Sequence, residues 1–303
     1  MNAFIGFSKR NLKLYFKDKM SVFLSMMTPI IVFLLYILFL KGTFVDAIDQ
    51  ACAGLSGLSG GKEADMLANA FFLAGVLGSS MITVSLNTLL TLVQDREKGI
   101  DCDIAATPMK RVQIILSYYM ASLLSAFAMT AIILTVGLII LRLQGLLYLS
   151  AGDVLALYGI ALLGSLSATS LFMTVIVFFR SSSTASALMV LISVAAGFVI
   201  GAYIPISQFS KGVQTCCNIF PGSGVTVLLR NRLLGSYLAH IDSTLGGVDN
   251  GAFVRQIKEV FSFQITIGGR MFSLTETVLY VLAVFVLSLI AIVLIYPKIY
   301  KRK

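Results

Sequence analysis

Six long runs without Asp, Glu, Lys, Arg or His constrain the fold of this 303-residue chain more than any other feature. These runs cover residues 20–40, 66–94, 112–141, 154–179, 181–210 and 277–297. About 20 apolar residues in a helix cross the roughly 30 Å of hydrocarbon in a bilayer. With 58% hydrophobic and 12% charged residues, the chain carries more apolar side chains than a soluble core buries. The sequence therefore predicts an all-α, polytopic membrane protein with six transmembrane helices.

The distribution of Lys and Arg predicts the orientation, because cytoplasmic loops are enriched in basic residues. With the N-terminus inside, the cytoplasmic segments hold fourteen of the 23 basic residues and five of the 14 acidic ones. The external segments hold equal numbers of each sign, so the net charge of +9 lies on the cytoplasmic side. We therefore expect both termini inside and a multi-pass protein of the cell membrane, specifically the bacterial plasma membrane.

Residues 1–19 precede the transmembrane domain of residues 20–303 and have the pattern of an amphipathic helix. At 100° per residue, apolar and basic side chains fall on opposite arcs. The apolar arc holds Phe4, Ile5, Phe7, Leu12, Leu14, Tyr15 and Phe16, and the basic arc holds Lys9, Arg10, Lys13 and Lys17. This predicts a helix in the inner membrane interface, in contact with membrane lipids. A positively charged flank with no further role is the alternative.

The external segment of residues 211–276 begins with an uncharged stretch that Pro221 interrupts. Each half of this stretch is too short to cross the membrane. The sequence therefore predicts two short re-entrant helices in the outer leaflet before the last span, with a plain interfacial loop as the alternative. No role for residues 236–276 follows from the sequence.

The inner loop of residues 95–111 joins the second and third spans and has charged, helix-compatible sequence that ends at Pro108. A short, rigid helix on the cytoplasmic face is suited to docking of a soluble partner, whereas a solvated charged turn has no such role. The candidate docking residues are Asp95, Glu97, Lys98, Gly99, Thr107 and Pro108.

The order of these elements resembles that of the type-2 ABC transporter permeases, the ABC-2 membrane family. The inner loop is similar to the family pattern ExExG followed by ATP, at Asp95, Glu97, Gly99, Ala106, Thr107 and Pro108. The stretch NIFPGSGVTVLLRNRLLG is similar to a second family pattern, at Pro221, Arg230, Leu233, Leu234 and Gly235. The resemblance implies two cytosolic ABC ATPase subunits that bind ATP and Mg, a second permease copy or homologous permease, and a coupling role for the inner loop.

The chain itself is predicted to have no ATPase site, so any ATP hydrolysis belongs to the complex. The string LSGGK at residues 58–62 is close to the ABC signature. A phosphate loop, however, needs Gly at position 56 and Ser or Thr at position 63, where this chain has Ser56 and Glu63. The four cysteines and His240 lack the spacing of metal ligands. We therefore expect no cofactor or metal in this chain and no nucleic-acid partner.

Polar residues of the second span are candidates for the substrate pathway. These are Ser80, Thr83, Asn87 and Thr91, within an arc of about 80°. Polar side chains in hydrocarbon face protein or a cavity, so lining of a pathway and helix packing are both open. In the fifth span, Gly197 and Gly201 form a small-xxx-small pair, which makes them candidates for the subunit interface.

The function predicted from these features is outward transport of a lipophilic or amphipathic substrate, such as a drug, a peptide antibiotic or a lipid, by alternating access. An ion-coupled secondary transporter is an alternative, but such proteins usually keep an ionisable residue at membrane depth. A non-transporting membrane sensor or anchor is the other alternative.

The native cysteines test the predicted orientation. Cys52 lies in the first external loop and Cys102 in the inner loop. An impermeant maleimide added to intact cells should label Cys52, and Cys102 should react only after the cells are permeabilised. The reverse pattern of labelling would invert the topology.

Overall fold

The computed structural model describes residues 2–36, 38, 42, 61–143, 149–244 and 251–300. Cys52, the string at 58–60 and the end of the first span at residue 40 lie outside these residues. The helices are α1 Asn2–Lys17, α2 Lys19–Leu35, α3 Gly61–Glu97, α4 Ile100–Ala105, α5 Arg111–Leu143, α6 Ala151–Ile176, α7 Ser182–Val199, α8 Lys211–Ile219, α9 Pro221–Thr244, α10 Ala252–Val260 and α11 Leu274–Tyr300. A 3₁₀ turn lies at Ile206–Gln208, and β1 Ile265–Ile267 pairs antiparallel with β2 Arg270–Phe272.

Five helices in the described part of the chain are long and apolar enough to cross a membrane, namely α3, α5, α6, α7 and α11. The pair α1 and α2, bent by 73° at Asp18, would make a sixth span. The Asp18 carboxylate accepts hydrogen bonds from the Met20 and Ser21 amides, both 3.1 Å away, and so caps the start of α2. An all-α polytopic membrane fold with five or six candidate spans is therefore confirmed.

Helix α3 lies in the centre of the bundle and contacts α2, α5, α6, α7 and α9. Of its most apolar 18 residues, 89% are buried inside the chain, whereas the corresponding value for α11 is 11%. Close approach to its neighbours depends on glycine: a Cβ on Gly75 would lie 2.7 Å from Ala202 Cβ, and one on Gly78 only 2.5 Å from Thr226 Oγ1. Helix α3 is thus the core of the protomer, and α11 leaves most of its surface for lipid.

The fifth span is shorter than the uncharged run that predicted it. Helix α7 ends at Val199 rather than at residue 210. Gly201 has a φ of 68°, the left-handed conformation that glycine tolerates at the end of a helix. Pro205 follows in the turn that leads to the 3₁₀ segment. Because the helix and the buried turn after it are both uncharged, the sequence did not indicate where the helix ends.

The helices that begin the segment 211–276, called outer here after its predicted position, differ in part from the two short helices expected. Helix α8 is short, and the chain breaks after Phe220 because Pro221 begins a new helix, a position that proline favours. Helix α9 is not short, however, since it continues through Arg230 to Thr244. Its buried side packs on α3 and α6, and this packing extends the helix beyond the uncharged stretch.

A fully buried guanidinium joins α9 to the other outer elements. Arg230 donates to the carbonyls of Phe261 at 3.2 Å, of Ile200 at 3.5 Å and of Gly201, and its Cζ lies 4.0 Å from the centre of the Phe71 ring. These carbonyls follow the C-terminal ends of α7 and α10, where helix carbonyls lack intrahelical donors and favour a cation. The charge of Arg230 is therefore balanced by helix ends and an aromatic face.

Substitution of Arg230 should destabilise the outer end of the bundle. Arg230→Met leaves buried carbonyls without donors, and each such group costs about 1–3 kcal/mol. We expect a clearly lower melting temperature in detergent. Arg232→Gln is the matched control two residues away, because the Arg232 side chain is 54% exposed. Equal melting temperatures for Arg230→Met and the wild type would contradict this role.

Candidate functional site

The C-terminal end of α3, which the charge distribution predicts to be cytoplasmic, carries three consecutive charged residues, Asp95, Arg96 and Glu97. Successive residues of a helix point about 100° apart, so the three side chains leave α3 in different directions. Each one contacts a different part of the bundle. Together with α4 they form the site described here, which we call the inner hub.

Asp95 joins α3 to α1 and α5. Its carboxylate lies 2.5 Å and 3.1 Å from the two terminal nitrogens of Arg10, and the Tyr118 hydroxyl donates to it at 2.6 Å. Such a two-pronged pair is among the stronger hydrogen-bonded contacts in proteins. The hydrogen bond that Arg10 donates to Asp95 raises the pKa of Arg10, so the guanidinium stays charged. Phe7 of α1 packs edge-on against Tyr118, with ring centres 5.1 Å apart.

Arg96 joins α3 to the end of α6. Its Nη1 donates to the carbonyl of Val177 at 2.7 Å and to that of Phe179 at 2.9 Å. Both carbonyls lie just beyond the last residue of α6, Ile176, where they lack donors within the helix. A cation at this end also complements the helix dipole. Arg96 is 9% exposed, so this contact is buried.

Glu97 joins α3 to the start of α7. Its Oε2 accepts a hydrogen bond from the Ser182 amide at 3.2 Å and another from the Ser182 hydroxyl. Ser182 is the first residue of α7. A carboxylate at a helix N-terminus satisfies an amide that has no partner within the helix. The short loop between α6 and α7 is thus held at both ends by neighbouring residues of α3.

The inner loop is divided into two helical parts rather than one. Gly99 has a φ of 73°, which ends α3 and lets the chain turn into the short helix α4. Ile104 faces the bundle, whereas Cys102 and Asp103 are exposed. The Thr107 hydroxyl donates to the Ile104 carbonyl at 2.6 Å and closes the end of α4. One side of α4 is therefore exposed beside the C-terminal end of α3.

The candidate docking residues are divided between the surface and the interior. The exposed ones are Glu97, Lys98, Gly99, Thr107 and Pro108. Asp95 is 4% exposed and is engaged by Arg10 and Tyr118. Contact of any of them with a soluble partner stays a prediction. Sequence reasoning missed Arg96, which had counted only as one positive charge of the inner side, although it lies between two acidic residues at the end of a span.

The candidate pathway residues lie between helices of the same chain. Ser80 Oγ is 3.3 Å from Thr130 Oγ1 of α5, and Asn87 donates to Ser25 Oγ of α2 at 3.0 Å. The buried Thr83 hydroxyl has no hydrogen-bond partner among the described residues, and Thr91 is half-buried. These contacts are those expected of helix packing, and a role in the pathway stays a prediction.

The two candidate interface glycines do not lie on one helix. Gly197 is in α7, but Gly201 lies beyond its end. A Cβ on Gly197 would lie 2.1 Å from Tyr203 Cε2, and one on Gly201 would lie 2.9 Å from Ile206 Cγ1. The expectation of a glycine pair on one helix face is therefore wrong, because both positions are required for packing within the chain. Their role at a subunit interface stays a prediction.

Comparison with known proteins assigns the chain to a family. Residues 56–296 match a family model described as an ABC-2 family transporter protein. The match includes the inner hub residues of α3, all of α4 and Arg230. No curated protein matches the chain.

Loss of the Asp95 carboxylate charge should loosen α1 from the bundle. Asp95→Asn weakens contacts with Arg10 and Tyr118, and hydrogen bonds to charged groups contribute about 1.5–3 kcal/mol. We expect a free energy of unfolding lower by about 1–3 kcal/mol. The control is Asp103→Asn, which removes an exposed carboxylate on α4. If both variants melt at the wild-type temperature, Asp95 does not hold α1.

Proposed function

Because this chain belongs to the ABC-2 family of transporter proteins, we propose that it is the membrane-spanning permease of an ATP-driven exporter. As an ABC-2 permease it is a transport subunit without an ATPase site of its own. In the proposal, two cytosolic ABC ATPase subunits bind ATP and Mg, and a second permease copy or a homologous permease completes the complex. The complex lies in the bacterial plasma membrane with both termini inside.

The inner hub is the observation that carries this proposal. Helix α4 is short, exposed on one side and attached directly to α3, the central helix. The last three residues of α3 hold α1, α5, α6 and the start of α7. A displacement of α4 by an ATPase subunit would therefore reach most of the bundle through hydrogen-bonded and ionic contacts. Such a linkage suits alternating access, in which packed helices move as rigid elements.

The choice of substrate class rests on the apolar spans. Within the described spans the buried polar groups are mainly hydroxyls, such as Ser85 paired with Thr169 at 2.9 Å and Thr88 paired with Ser122 at 2.6 Å. A pathway bordered by such helices would suit a lipophilic or amphipathic substrate, such as a drug, a peptide antibiotic or a lipid. Outward movement of this cargo completes the proposal.

Substitutions on the exposed part of the inner hub test the coupling. Glu97→Lys and Pro108→Ala, in the chain co-expressed with its ABC ATPase, should lower transport and substrate-stimulated ATP hydrolysis while the chain still folds and inserts. Both residues are exposed beside α4. Lys258→Glu, a charge reversal on the exposed side of α10, is the control and should leave both activities unchanged.

Two outcomes would contradict the proposal. Wild-type transport by both Glu97→Lys and Pro108→Ala would remove the coupling role from the inner hub. ATP hydrolysis by the purified chain alone in liposomes would show that the chain is not a permease dependent on a separate ATPase.

A further inference from the structure

Helix α1 uses only one of its faces to pack on the bundle. Asn11 and Tyr15 are buried, Phe7 contacts Tyr118, and the carbonyl of Phe4 accepts a hydrogen bond from Ser117. All of these residues lie on the side that faces α5 and α3. The apolar arc expected from the sequence is therefore divided into a part that packs on the bundle and a part that stays exposed.

The outer surface of α1 has an apolar edge and a basic edge side by side. Ile5 is 55% exposed and Phe16 is 43% exposed, and the two lie about 20° apart around the helix. Lys9, Lys13 and Lys17 are exposed and cover about 80° next to them. Helix α1 contains no acidic residue. None of the three lysines pairs with an acidic side chain in the described part of the chain.

The apolar edge continues into the helix that follows. Met20, Phe23 and Leu24, at the start of α2, are 62%, 55% and 51% exposed. Because α1 and α2 are bent by 73°, α1 lies nearly across the direction of α2. Helix α1 thus lies roughly perpendicular to a candidate span and has an exposed apolar edge beside a row of lysines. This arrangement is suited to the boundary between acyl chains and headgroups.

We propose that the lysine edge of α1 binds the anionic headgroups of inner-leaflet phospholipids, and that Arg10 transmits this binding to the inner hub. Basic side chains at a membrane surface attract anionic lipids over a distance set by ionic strength. The adjacent exposed Ile5 and Phe16 favour a lipid surface over an acidic protein surface as the occupant. The biological role of the link through Arg10 rests on the proposed function. The link itself can be measured on the chain without an ATPase.

The link from lipid to hub is short. Arg10 lies next to Lys9 in the sequence and one helical turn before Lys13, but it points to the bundle and holds Asp95. Asp95 precedes Arg96, which fixes the end of α6. A lipid-bound α1 would therefore stabilise the arrangement of the inner hub that includes the Arg10–Asp95 pair.

The absence of tryptophan from the chain allows a direct test of the first step. Phe16→Trp places a single fluorophore on the apolar edge of α1. The purified chain is reconstituted in vesicles of equal parts phosphatidylcholine and phosphatidylglycerol, with bromine on the acyl chains of one lipid or the other. Bromine on phosphatidylglycerol should quench this fluorophore about twofold more than bromine on phosphatidylcholine, because lysines enrich anionic lipid nearby.

Two controls distinguish a specific edge from a general effect. Leu287→Trp, at a 66% exposed position of α11, should be quenched equally by both lipids. Adding Lys9→Gln, Lys13→Gln and Lys17→Gln to Phe16→Trp should abolish the preference, and high salt should weaken it. Equal quenching of Phe16→Trp by both lipids, or a preference that survives loss of the three lysines, would overturn the proposal.

The second step is measured by thermal melting of the permease alone, so it does not depend on an ATPase. Phosphatidylglycerol should raise the melting temperature of the wild type relative to phosphatidylcholine, since a ligand of the folded state stabilises it. Asp95→Asn should keep the quenching preference at position 16 and lose this rise. Arg10→Gln provides the same test if Asp95→Asn folds poorly. A rise that persists in both variants would remove Arg10 and Asp95 from the link.

Discussion

The position of helix α3 in the middle of the bundle depends on hydrogen bonds between several of its buried polar groups and the helices around it. A buried polar group with no hydrogen bond costs free energy, and in hydrocarbon no water replaces a missing partner. Ser85 and Thr88 meet hydroxyls of α6 and α5, and Asn87 meets Ser25 of α2. These contacts set the rotation of α3 about its axis. That rotation in turn decides which way Asp95, near the C-terminal end of α3, can point.

Near each end of α3, an arginine side chain donates hydrogen bonds to backbone carbonyls at the end of a neighbouring helix. The part that α3 itself contributes differs between the two ends. At the inner end α3 provides the arginine, and Arg96 satisfies carbonyls that follow α6. At the outer end α3 provides the aromatic surface, and Phe71 lies beneath Arg230 of α9. In each case the cation is held by the end of a neighbouring helix, which is an arrangement that helix dipoles favour. The two sites fix the bundle at opposite ends of its central helix.

The sequence predicted most of the fold because bilayer thickness and charge distribution are one-dimensional constraints. Helices α3, α5, α6 and α11 lie over four of the uncharged runs, but the sequence could not separate the buried turn at Gly201 from α7, since both are uncharged. The hub residues Asp95 and Glu97 were identified, yet their partners were not. Arg10 is 85 residues from Asp95 along the chain, and a pairing over that distance depends on how α1 packs.

The contacts that hold Arg230 determine how this end of the bundle responds to acid. Arg230 is held by the carbonyls of Ile200, Gly201 and Phe261 and by the ring of Phe71. None of these acceptors binds a proton in acidic or neutral solution, in contrast to the carboxylate of an ordinary ion pair. A contact built in this way keeps its strength when the surrounding medium becomes acidic. The Arg230 contact is thereby insulated from acid, whereas the contacts at the opposite end of α3 rely on the carboxylates of Asp95 and Glu97.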